Sequence, residues 1–513
     1  LHIDERILHY LAGINDLDQR LRPLLQASAA PDWIAAAHER LAQQAARALD
    51  MRGRDAPVLQ LCGDDPQGQE DVAAFAARAL GHELFVLPVD DIPAPGAELN
   101  QFVTLWEREA LLLSATLFIQ CAPCGFSAAA RHLAERLPAP LFLASREPLR
   151  LRRPFLRVEV EKPPPVEQKQ IWARALGPAA GSLNGMLDNL SQHFRLSAKA
   201  IHATTLVTSA TTAPRAATEA NAMAPEKLQP SELWSTCRAM ARPRLEDLAQ
   251  RIMPSAGWED LILPEPQMQT LRQLADQIGH RMQVHENWGF ADKGRRGLGV
   301  SALFAGASGT GKTLAAEVLA RDLDLDLYRI DLSAVVSKYI GETEKNLRQV
   351  FDAAEEGGAL LLFDEADALF GKRSDVKDSH DRYANIEIGY LLQRMEAYQG
   401  LAILTTNLKS TMDKAFQRRL RFVVNFPFPD AVQREAIWGR VFPARTPTES
   451  LETKRLARLN VAGGNIRNIA LNAAFLAAAA GQPVGMRHLL EAAQLEAQKI
   501  ERPLSEAEVR GWA

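Results

Sequence analysis

The chain has 513 residues, of which 47% are hydrophobic and 24% are charged, a balance typical of globular proteins. At roughly 100–200 residues per domain, this length indicates about three or four structural units. The 59 basic and 63 acidic residues leave a net charge of −4, so the overall charge gives no sign of nucleic-acid binding. No run of about 18 apolar residues occurs, and no membrane span is expected.

The N-terminus does not have the charged-then-apolar layout of a signal peptide. Four cysteines are too few for a disulfide framework in a chain of this size. Cys121 and Cys124 form a C-x-x-C pair, but without a second pair this is a weak sign of a metal or redox site. A reducing cytoplasm is therefore the expected location.

In chain order, residues 1–50 are predicted to be a short helical segment, because apolar residues recur there at helical spacing. Residues 51–207 alternate the apolar runs VLQLC, LFVLPV, TLFIQC and PLFLAS with helical stretches, and they end in a helical part. Alternating strands and helices indicate an α/β unit with a parallel sheet. Residues 208–244 are rich in Ala, Thr and Pro and are predicted to be a linker.

A second α/β unit is predicted over residues 245–430, followed by a helical, Ala-rich lid over residues 431–513. The two α/β units align as a repeat when Gly63 is placed on Gly306, and the same offset puts LFIQCA on LLLFDE without a gap. Two tandem domains of one fold are the economical explanation, with chance similarity of amphipathic segments as the alternative.

Residues 306–313 read GASGTGKT, which matches the pattern G-x-x-x-x-G-K-[ST] between an apolar strand and an amphipathic helix. The glycines let backbone N–H groups face phosphates, and the helix N-terminus attracts anions. Lys312 would place a cation on the phosphates of ATP, and the Thr313 hydroxyl would bind Mg²⁺. The predicted nucleotide-binding residues of the loop are Gly306, Ser308, Gly309, Thr310, Gly311, Lys312 and Thr313.

Polar side chains follow two later apolar strands. Asp364 is suited to hold Mg²⁺ through water, and Glu365 to polarise the attacking water as general base. Asn407 can hydrogen-bond both the γ-phosphate and that water. A solvated turn at the acid pair is the alternative.

Arg418, Arg419 and Arg421 cluster before the last predicted strand. One site rarely needs three arginines from its own subunit. In a ring, they can reach the γ-phosphate of a neighbour and stabilise transition-state charge. A solvated basic turn is the alternative.

These motifs, in this order, make residues 257–480 resemble the AAA+ ATPases, in particular the AAA clade of remodelling enzymes. The resemblance implies that residues 306–313 are the Walker A motif and that Asn407 is sensor 1. It also implies the following roles: Asp364 and Glu365 as the Walker B pair, and Arg418 and Arg419 as arginine fingers in preference to Arg421.

Further positions follow from the same resemblance. The segment GWEDLILP at 257–264, which contains Ile262, resembles the segment that wraps the adenine. In AGGNIRNIALNAAF, which resembles the start of the lid helix, Gly463 and Gly464 occupy the small-residue contact. Arg467 could act as a sensor 2 arginine, although the AAA clade usually lacks one; an exposed helix arginine is the alternative.

Lys338, Tyr339 and Ile340 resemble the first pore loop of substrate-threading AAA proteins. An exposed aromatic and aliphatic pair can grip an extended polypeptide through apolar contact, and a buried Tyr–Ile pair is the alternative. Residues 371–385 stand where a second pore loop would be, although Asp381 and Arg382 could instead relay between subunits.

The repeat alignment predicts that the first unit does not hydrolyse ATP. Gln69 and Glu70 stand where the second unit has Lys312 and Thr313, so this loop loses its cation and gains a carboxylate that repels phosphate. The positions equivalent to the acid pair and the amide hold Cys121, Ala122 and Arg146.

The sequence thus predicts an α/β protein with two tandem P-loop AAA+ modules, each with a helical lid, of which the second is active. Sites formed between subunits imply a homo-oligomeric ring, a hexamer by resemblance, acting as a chaperone-like remodeller of polypeptides or protein complexes. The layout resembles bacterial AAA ATPases associated with contractile injection systems. Two alternatives stay open: an ATP-gated scaffold, which the intact Glu365 disfavours, and a nucleic-acid motor, for which no basic stripe is found.

Overall fold

The computed structural model describes residues 3–50, 57–120, 127–212, 229–281, 283–290, 299–332, 342–367, 379–407 and 418–512. The chain divides into two compact units. The first comprises Leu1–Ser191 and Arg195–Leu233, and the second comprises Gln192–Phe194 and Trp234–Ala513. No helix among the described residues combines the length and apolar character needed to cross a membrane.

The first unit contains one mostly parallel sheet. Its strands, within the described residues, are β1 (Gln26–Ser28), β2 (Val58–Cys62), β3 (Glu83–Pro88), β4 (Ala115–Gln120), β5 (Leu141–Ser145) and β6 (Phe155–Glu159). They lie in the order β1-β3-β4-β5-β2-β6, and only the pairing of β1 with β3 is antiparallel. Its helices are α1 (Glu5–Leu11), α2 (Ala36–Leu49), α3 (Pro66–Ala79), α4 (Ala97–Leu112), α5 (Ala128–Arg136), α6 (Pro165–Leu176), α7 (Asn184–His193), whose last two residues fall in the second unit, and α8 (Ala198–Thr212).

Both faces of the central strands β2 to β5 are buried, which explains their largely apolar sequences. In β4, Leu117 and Ile119 pack on one side with Trp106 of α4. Phe118, between them, points to the other side and packs with Val72 of α3. Each strand therefore contributes alternate side chains to two separate apolar layers.

The second unit contains a sheet with the same arrangement. Its strands, again among the described residues, are β7 (Gln250–Ile252), β8 (Val300–Ala305), β9 (Leu327–Asp331), β10 (Leu360–Asp364), β11 (Leu401–Thr406) and β12 (Phe422–Asn425). They lie in the order β7-β9-β10-β11-β8-β12, with β7 antiparallel to β9 and the other neighbours parallel. Its helices are α9 (Pro230–Glu246), α10 (Glu265–Gly279), α11 (Lys312–Asp322), α12 (Glu342–Gly357) and α13 (Ser379–Ala397).

The two sheets agree in backbone hydrogen bonding as well as in strand order. The N–H of Gly63, after β2, donates to the carbonyl oxygen of Ser145 at 3.3 Å. The N–H of Gly306, after β8, donates to the carbonyl oxygen of Thr406 at 3.1 Å. Gly63 and Gly306 therefore occupy equivalent positions in their sheets.

The C-terminal part of the second unit is helical. It contains α14 (Ala431–Arg440), α15 (Thr453–Leu456), α16 (Gly463–Ala480), α17 (Met486–Lys499) and α18 (Glu506–Val509). Trp438, Ile466, Leu489 and Trp512 are buried together in its apolar cluster. A capping box at Asp430, with Gln433 three residues on, fixes the start of α14.

Two sequence predictions need correction. Residues 1–50 are not only helical, because β1 lies within them and pairs with β3 in the sheet. The predicted linker over 208–244 is not structureless, because most of α9 falls inside it and buries Leu233 and Trp234. The Ala-, Thr- and Pro-rich stretch ends near residue 230, where α9 begins, so its composition does not support a linker that continues to residue 244.

Candidate functional site: the carboxyl edge of the second sheet

The loop between β8 and α11 carries the GASGTGKT motif. Gly309 and Gly311 have φ values of 78° and 103°, a region that favours glycine. Thr310 is buried, and its hydroxyl donates to the carbonyl oxygen of Ala307 at 2.8 Å. Gly311 precedes the first residue of α11, so the unpaired N–H groups of that helix terminus face the loop.

Lys312 is the buried cation of this loop. Its amine donates to the carbonyl oxygens of Gly306 at 2.7 Å and Ala307 at 3.1 Å, and to Oδ1 of Asn407 at 2.9 Å. Burial lowers the pKa of Lys312, while the charges of Asp364 and Asp367 oppose that shift. The sequence-predicted lysine and amide, 95 residues apart, thus meet at one sheet edge.

Asp364 ends β10 and Glu365 follows it. Asp364 Oδ1 accepts hydrogen bonds from the Thr405 hydroxyl and, at 3.2 Å, from the Glu365 N–H. Glu365 is exposed and has a φ of 56°, a conformation that costs a non-glycine residue about 1–3 kcal/mol. This left-handed residue lies directly after the last residue of β10.

Asn407 is held by a residue that the sequence analysis did not single out. Asp367 accepts a hydrogen bond from the Asn407 N–H at 2.9 Å and another from the Thr406 hydroxyl. The sequence contains one indication that Asp367 belongs to the site, because it lies only three residues beyond Asp364. Its contact with Asn407 could not be predicted without knowing that β10 and β11 are neighbours.

Among the arginines, Arg418 and Arg419 are exposed. Nε of Arg419 lies 2.8 Å from Oε1 of Glu396, and both side chains are about two-fifths exposed, at 43% and 38%. Such an exposed ion pair contributes little to stability and can open readily. Within the described residues, neither arginine contacts the lysine or the acid pair of its own unit.

The helical part of the unit contacts the loop through glycine. The N–H of Gly464, in the first turn of α16, donates to the carbonyl oxygen of Gly309 at 2.9 Å. Arg467, one turn on, is exposed. In the 257–264 segment, which is predicted to wrap the adenine, Ile262 is half-buried. Its neighbour Leu261 lies beside the loop, because a Cβ placed on Gly311 would be 3.8 Å from the Leu261 side chain.

Some predicted residues lie outside the described part of the chain: Lys338, Tyr339, Ile340, Cys121 and Ala122. Residues 371–378 of the second predicted pore loop, and the side chains of Asp381 and Arg382, also lie outside the described part of the chain.

The residues at this edge fit ATP and Mg²⁺. Lys312 is a buried ammonium whose hydrogen-bond partners among the described residues are backbone carbonyls and one amide, not a carboxylate, so its charge is suited to phosphate. Thr313 and Asp364 supply the hydroxyl and carboxylate oxygens that Mg²⁺ prefers. When bound, Mg²⁺ would neutralise charge on the phosphates.

The equivalent loop of the first unit is closed by its own side chains. The amide of Gln69, which is buried, donates to the carbonyl oxygens of Gly63 at 3.4 Å and Ser145 at 3.1 Å. Asp65 accepts the N–H of Gly68 at 3.0 Å. That N–H corresponds to Gly311 in the second loop, so a carboxylate of the chain occupies a backbone donor that phosphate would need.

Acidic side chains crowd this first loop. Burial raises the pKa of Asp65, and burial together with the nearby Asp65 charge raises the pKa of Asp71 to about 7. Glu70 accepts a hydrogen bond from the Ser28 hydroxyl at 2.6 Å. The loop therefore has a neutral amide where its counterpart has a cation, with carboxyl groups around it.

A glycine-rich loop, a buried lysine, a strand-end acid pair and an amide at one sheet edge define the second unit as a P-loop nucleotide-binding fold. Comparison with protein families agrees. The family "ATPase family associated with various cellular activities (AAA)" matches residues 302–430, and "Contractile injection system ATPase helical domain" matches residues 164–243. The chain thus contains an AAA ATPase domain preceded by a contractile injection system ATPase helical domain.

Curated relatives are also AAA proteins. The chain is 33% identical over 189 residues to an uncharacterized AAA family ATPase of Sinorhizobium fredii, covering 36% of this chain and 54% of the relative. It is 29% identical over 233 residues to the proteasome-activating nucleotidase of Methanoculleus marisnigri, covering 44% and 55%. It is 31% identical over 161 residues to the 26S proteasome regulatory subunit 6B homolog of Encephalitozoon cuniculi, covering 30% and 42%. The chain spans about half the length of these relatives.

Proposed function

We propose that this protein is an ATP-hydrolysing AAA+ ring motor that remodels, unfolds or disassembles protein substrates, in the service of a phage-tail-like contractile injection system. The observation that carries the proposal is the convergence of Lys312 and Asn407, 2.9 Å apart, beside the Asp364–Glu365 pair. The match of residues 164–243 to a contractile injection system ATPase helical domain supports the proposed link to such a system.

Lys312 and the loop N–H groups would bind the phosphates of ATP. The lysine gives up the Gly306 and Ala307 carbonyl oxygens in doing so, and its burial strengthens the attraction to an anion. Thr313 and Asp364 would hold Mg²⁺. These side chains bind and orient the substrate before any bond breaks.

Glu365 would act as the general base. It is exposed, directly follows Asp364 and has a left-handed backbone. Asn407, held by Asp367 through its N–H, would orient the attacking water and the γ-phosphate. As the water oxygen bonds to the γ-phosphorus, a proton would move from the water to Glu365, the bond from the γ-phosphorus to the bridging oxygen would break, and ADP would leave.

The ring is a further part of the proposal. Exposed Arg418 and Arg419 would reach the γ-phosphate of a neighbouring copy, which makes a homo-oligomer, expected to be a hexamer, necessary for turnover. Relatives named proteasome-activating nucleotidase and proteasome regulatory subunit support a motor that acts on protein. Lys338, Tyr339 and Ile340 would grip the polypeptide, a role that rests on the sequence alone.

We assign residues 51–207, most of which lie in the first unit, as a degenerate module of the same fold. Its shared strand order supports common architecture. The closure of its loop by Gln69 and Asp65 supports the absence of ATP turnover there. Residues 245–430 would then be the active large subdomain, and residues 431–513 its lid.

The test is steady-state ATPase of the purified chain and of three variants: Lys312→Ala, Glu365→Gln and Tyr339→Ala. Turnover should vanish in the first two, while Tyr339→Ala keeps basal turnover and loses stimulation by protein substrates. Mass analysis with and without ATP should show ATP-dependent assembly. A wild type that binds ATP, assembles and never turns over would establish an ATP-gated scaffold and refute the motor.

A further inference from the structure

An arginine that the proposed chemistry does not use lies beside the Mg²⁺-site carboxylate. Nη2 of Arg329, in β9, is 2.9 Å from Oδ2 of Asp364, in β10. Arg329 pairs in register with Leu362, two residues before Asp364, so both charged side chains project from the same face of the sheet. The contact is therefore fixed by strand register.

The two oxygens of Asp364 have different partners. Oδ1 is held by the Thr405 hydroxyl and the Glu365 N–H, whereas Oδ2 faces Arg329. The neutral donors alone are sufficient to orient the carboxylate. Arg329 adds a positive charge next to Oδ2, the other oxygen of this carboxylate.

Arg329 is the more exposed partner of this ion pair. Its side chain is 40% exposed, against 19% for Asp364, so the guanidinium lies toward the solvent side of the pair. Its Nε is buried and has no hydrogen-bond partner among the described residues. Within that part of the chain, the ion pair with Asp364 is therefore the main contact of the guanidinium.

We infer that Arg329 is a positioning residue that competes with Mg²⁺ for Asp364 and so sets the Mg²⁺ requirement of nucleotide binding. This inference rests on the proposed function, because it needs a Mg²⁺–nucleotide site at Asp364. A guanidinium in contact with the carboxylate disfavours a second cation there. Phosphate charge offsets that repulsion, so Mg²⁺ enters with nucleotide and not before it.

The experiment compares full-length wild type with Arg329→Met, Arg329→Lys and Arg394→Met. Arg394 forms an ion pair of similar length, 2.7 Å, with Asp352, and it serves as the matched control in the same unit. Equilibrium binding of a fluorescent ADP analogue is measured in EDTA and across a Mg²⁺ titration. Arg329→Gln is a second neutral variant in case the Met variant does not fold.

Arg329→Met should lower the Mg²⁺ concentration for half-maximal binding at least about threefold, with unchanged binding in EDTA. Arg329→Lys keeps the charge and should behave as wild type, as should Arg394→Met. An unchanged or higher Mg²⁺ requirement in both neutral variants overturns the inference, as does a Lys variant that behaves like Met. If wild type binds no nucleotide under any condition, the proposed function itself fails, and this inference with it.

Discussion

Gly464 donates its backbone N–H to the carbonyl oxygen of Gly309 at 2.9 Å, which joins the first turn of α16 to the GASGTGKT loop. The approach is close enough that a Cβ at Gly464 would lie 3.1 Å from Cα of Gly309. The helical C-terminal part and the loop therefore meet backbone to backbone at this point.

The first prediction concerns this contact. Gly464→Val should force α16 and the loop apart, because overpacking of this kind costs about 1–3 kcal/mol. Nucleotide affinity should fall about tenfold or more, which corresponds to about 1.4 kcal/mol. The control is Gly439→Ala in α14, where a Cβ meets nothing within 4 Å. If the Gly464 variant binds nucleotide as strongly as wild type at equilibrium, the contact does not support the loop.

The second prediction separates the structural and catalytic roles of Arg419. Arg419→Ala removes the exposed ion pair with Glu396, and the free energy of unfolding should fall by less than about 1 kcal/mol. Its ATPase rate should fall by about 10³-fold if it acts on a neighbour's γ-phosphate. Glu396→Gln breaks the same pair and should keep its activity. Loss of activity in both variants would assign the effect to the ion pair.

The third prediction tests whether the first loop can be converted. Gln69→Lys combined with Glu70→Thr restores the motif residues, in a Lys312→Ala background that silences the second site. We expect no nucleotide binding, because Asp65 still occupies the Gly68 N–H. The lysine can use the carbonyl oxygens of Gly63 and Ser145 that Gln69 uses now, so the variant should fold. Saturable binding of a fluorescent ADP analogue would contradict this account.

The fourth prediction concerns pH. The pKa of Asp71 is raised to about 7 by burial and by the charge of Asp65. The folded chain therefore binds a proton that the unfolded chain releases above about pH 4, and the resulting stabilisation is lost as pH rises through about 7. Asp71→Asn should unfold at a higher temperature than wild type at pH 8, and the difference should shrink toward pH 5.

The measurement is a thermal unfolding series across that pH range. Asp90→Asn, at an exposed position, is the control and should follow wild type throughout. If the difference in unfolding temperature between Asp71→Asn and wild type does not change with pH, the Asp71 carboxyl does not titrate in the folded state between pH 5 and pH 8.

Much of the site could be predicted because its chemistry is local in the chain. The strand, the glycines and the Lys312-Thr313 pair lie within 14 residues, from Val300 to Thr313, and their spacing indicates a phosphate loop before any fold is known. The acid pair could be predicted in the same way, because it directly follows a run of apolar residues in the chain. The assignment of the family followed from the order of these motifs, and the family comparison supports it.

Local reasoning failed where composition and structure point in different directions. The Ala-, Thr- and Pro-rich stretch from residue 208 indicates a linker, yet α9 follows it from Pro230 and buries Trp234, whose ring N–H donates to the carbonyl oxygen of Asp324 at 2.9 Å. In the other case, β1 is a three-residue strand that pairs with β3. A strand this short carries too little local signal to be identified alone.

The phosphate loop, the acid pair and the loss of the lysine in the first unit can be predicted from residue types at fixed spacings in the chain. Three contacts become visible only in the folded chain: Arg329 with Asp364, Asp367 with the Asn407 N–H, and Asp65 with the Gly68 N–H. The first two contacts join neighbouring strands, so strand order and register determine them. The third depends on how the loop closes around a buried carboxylate.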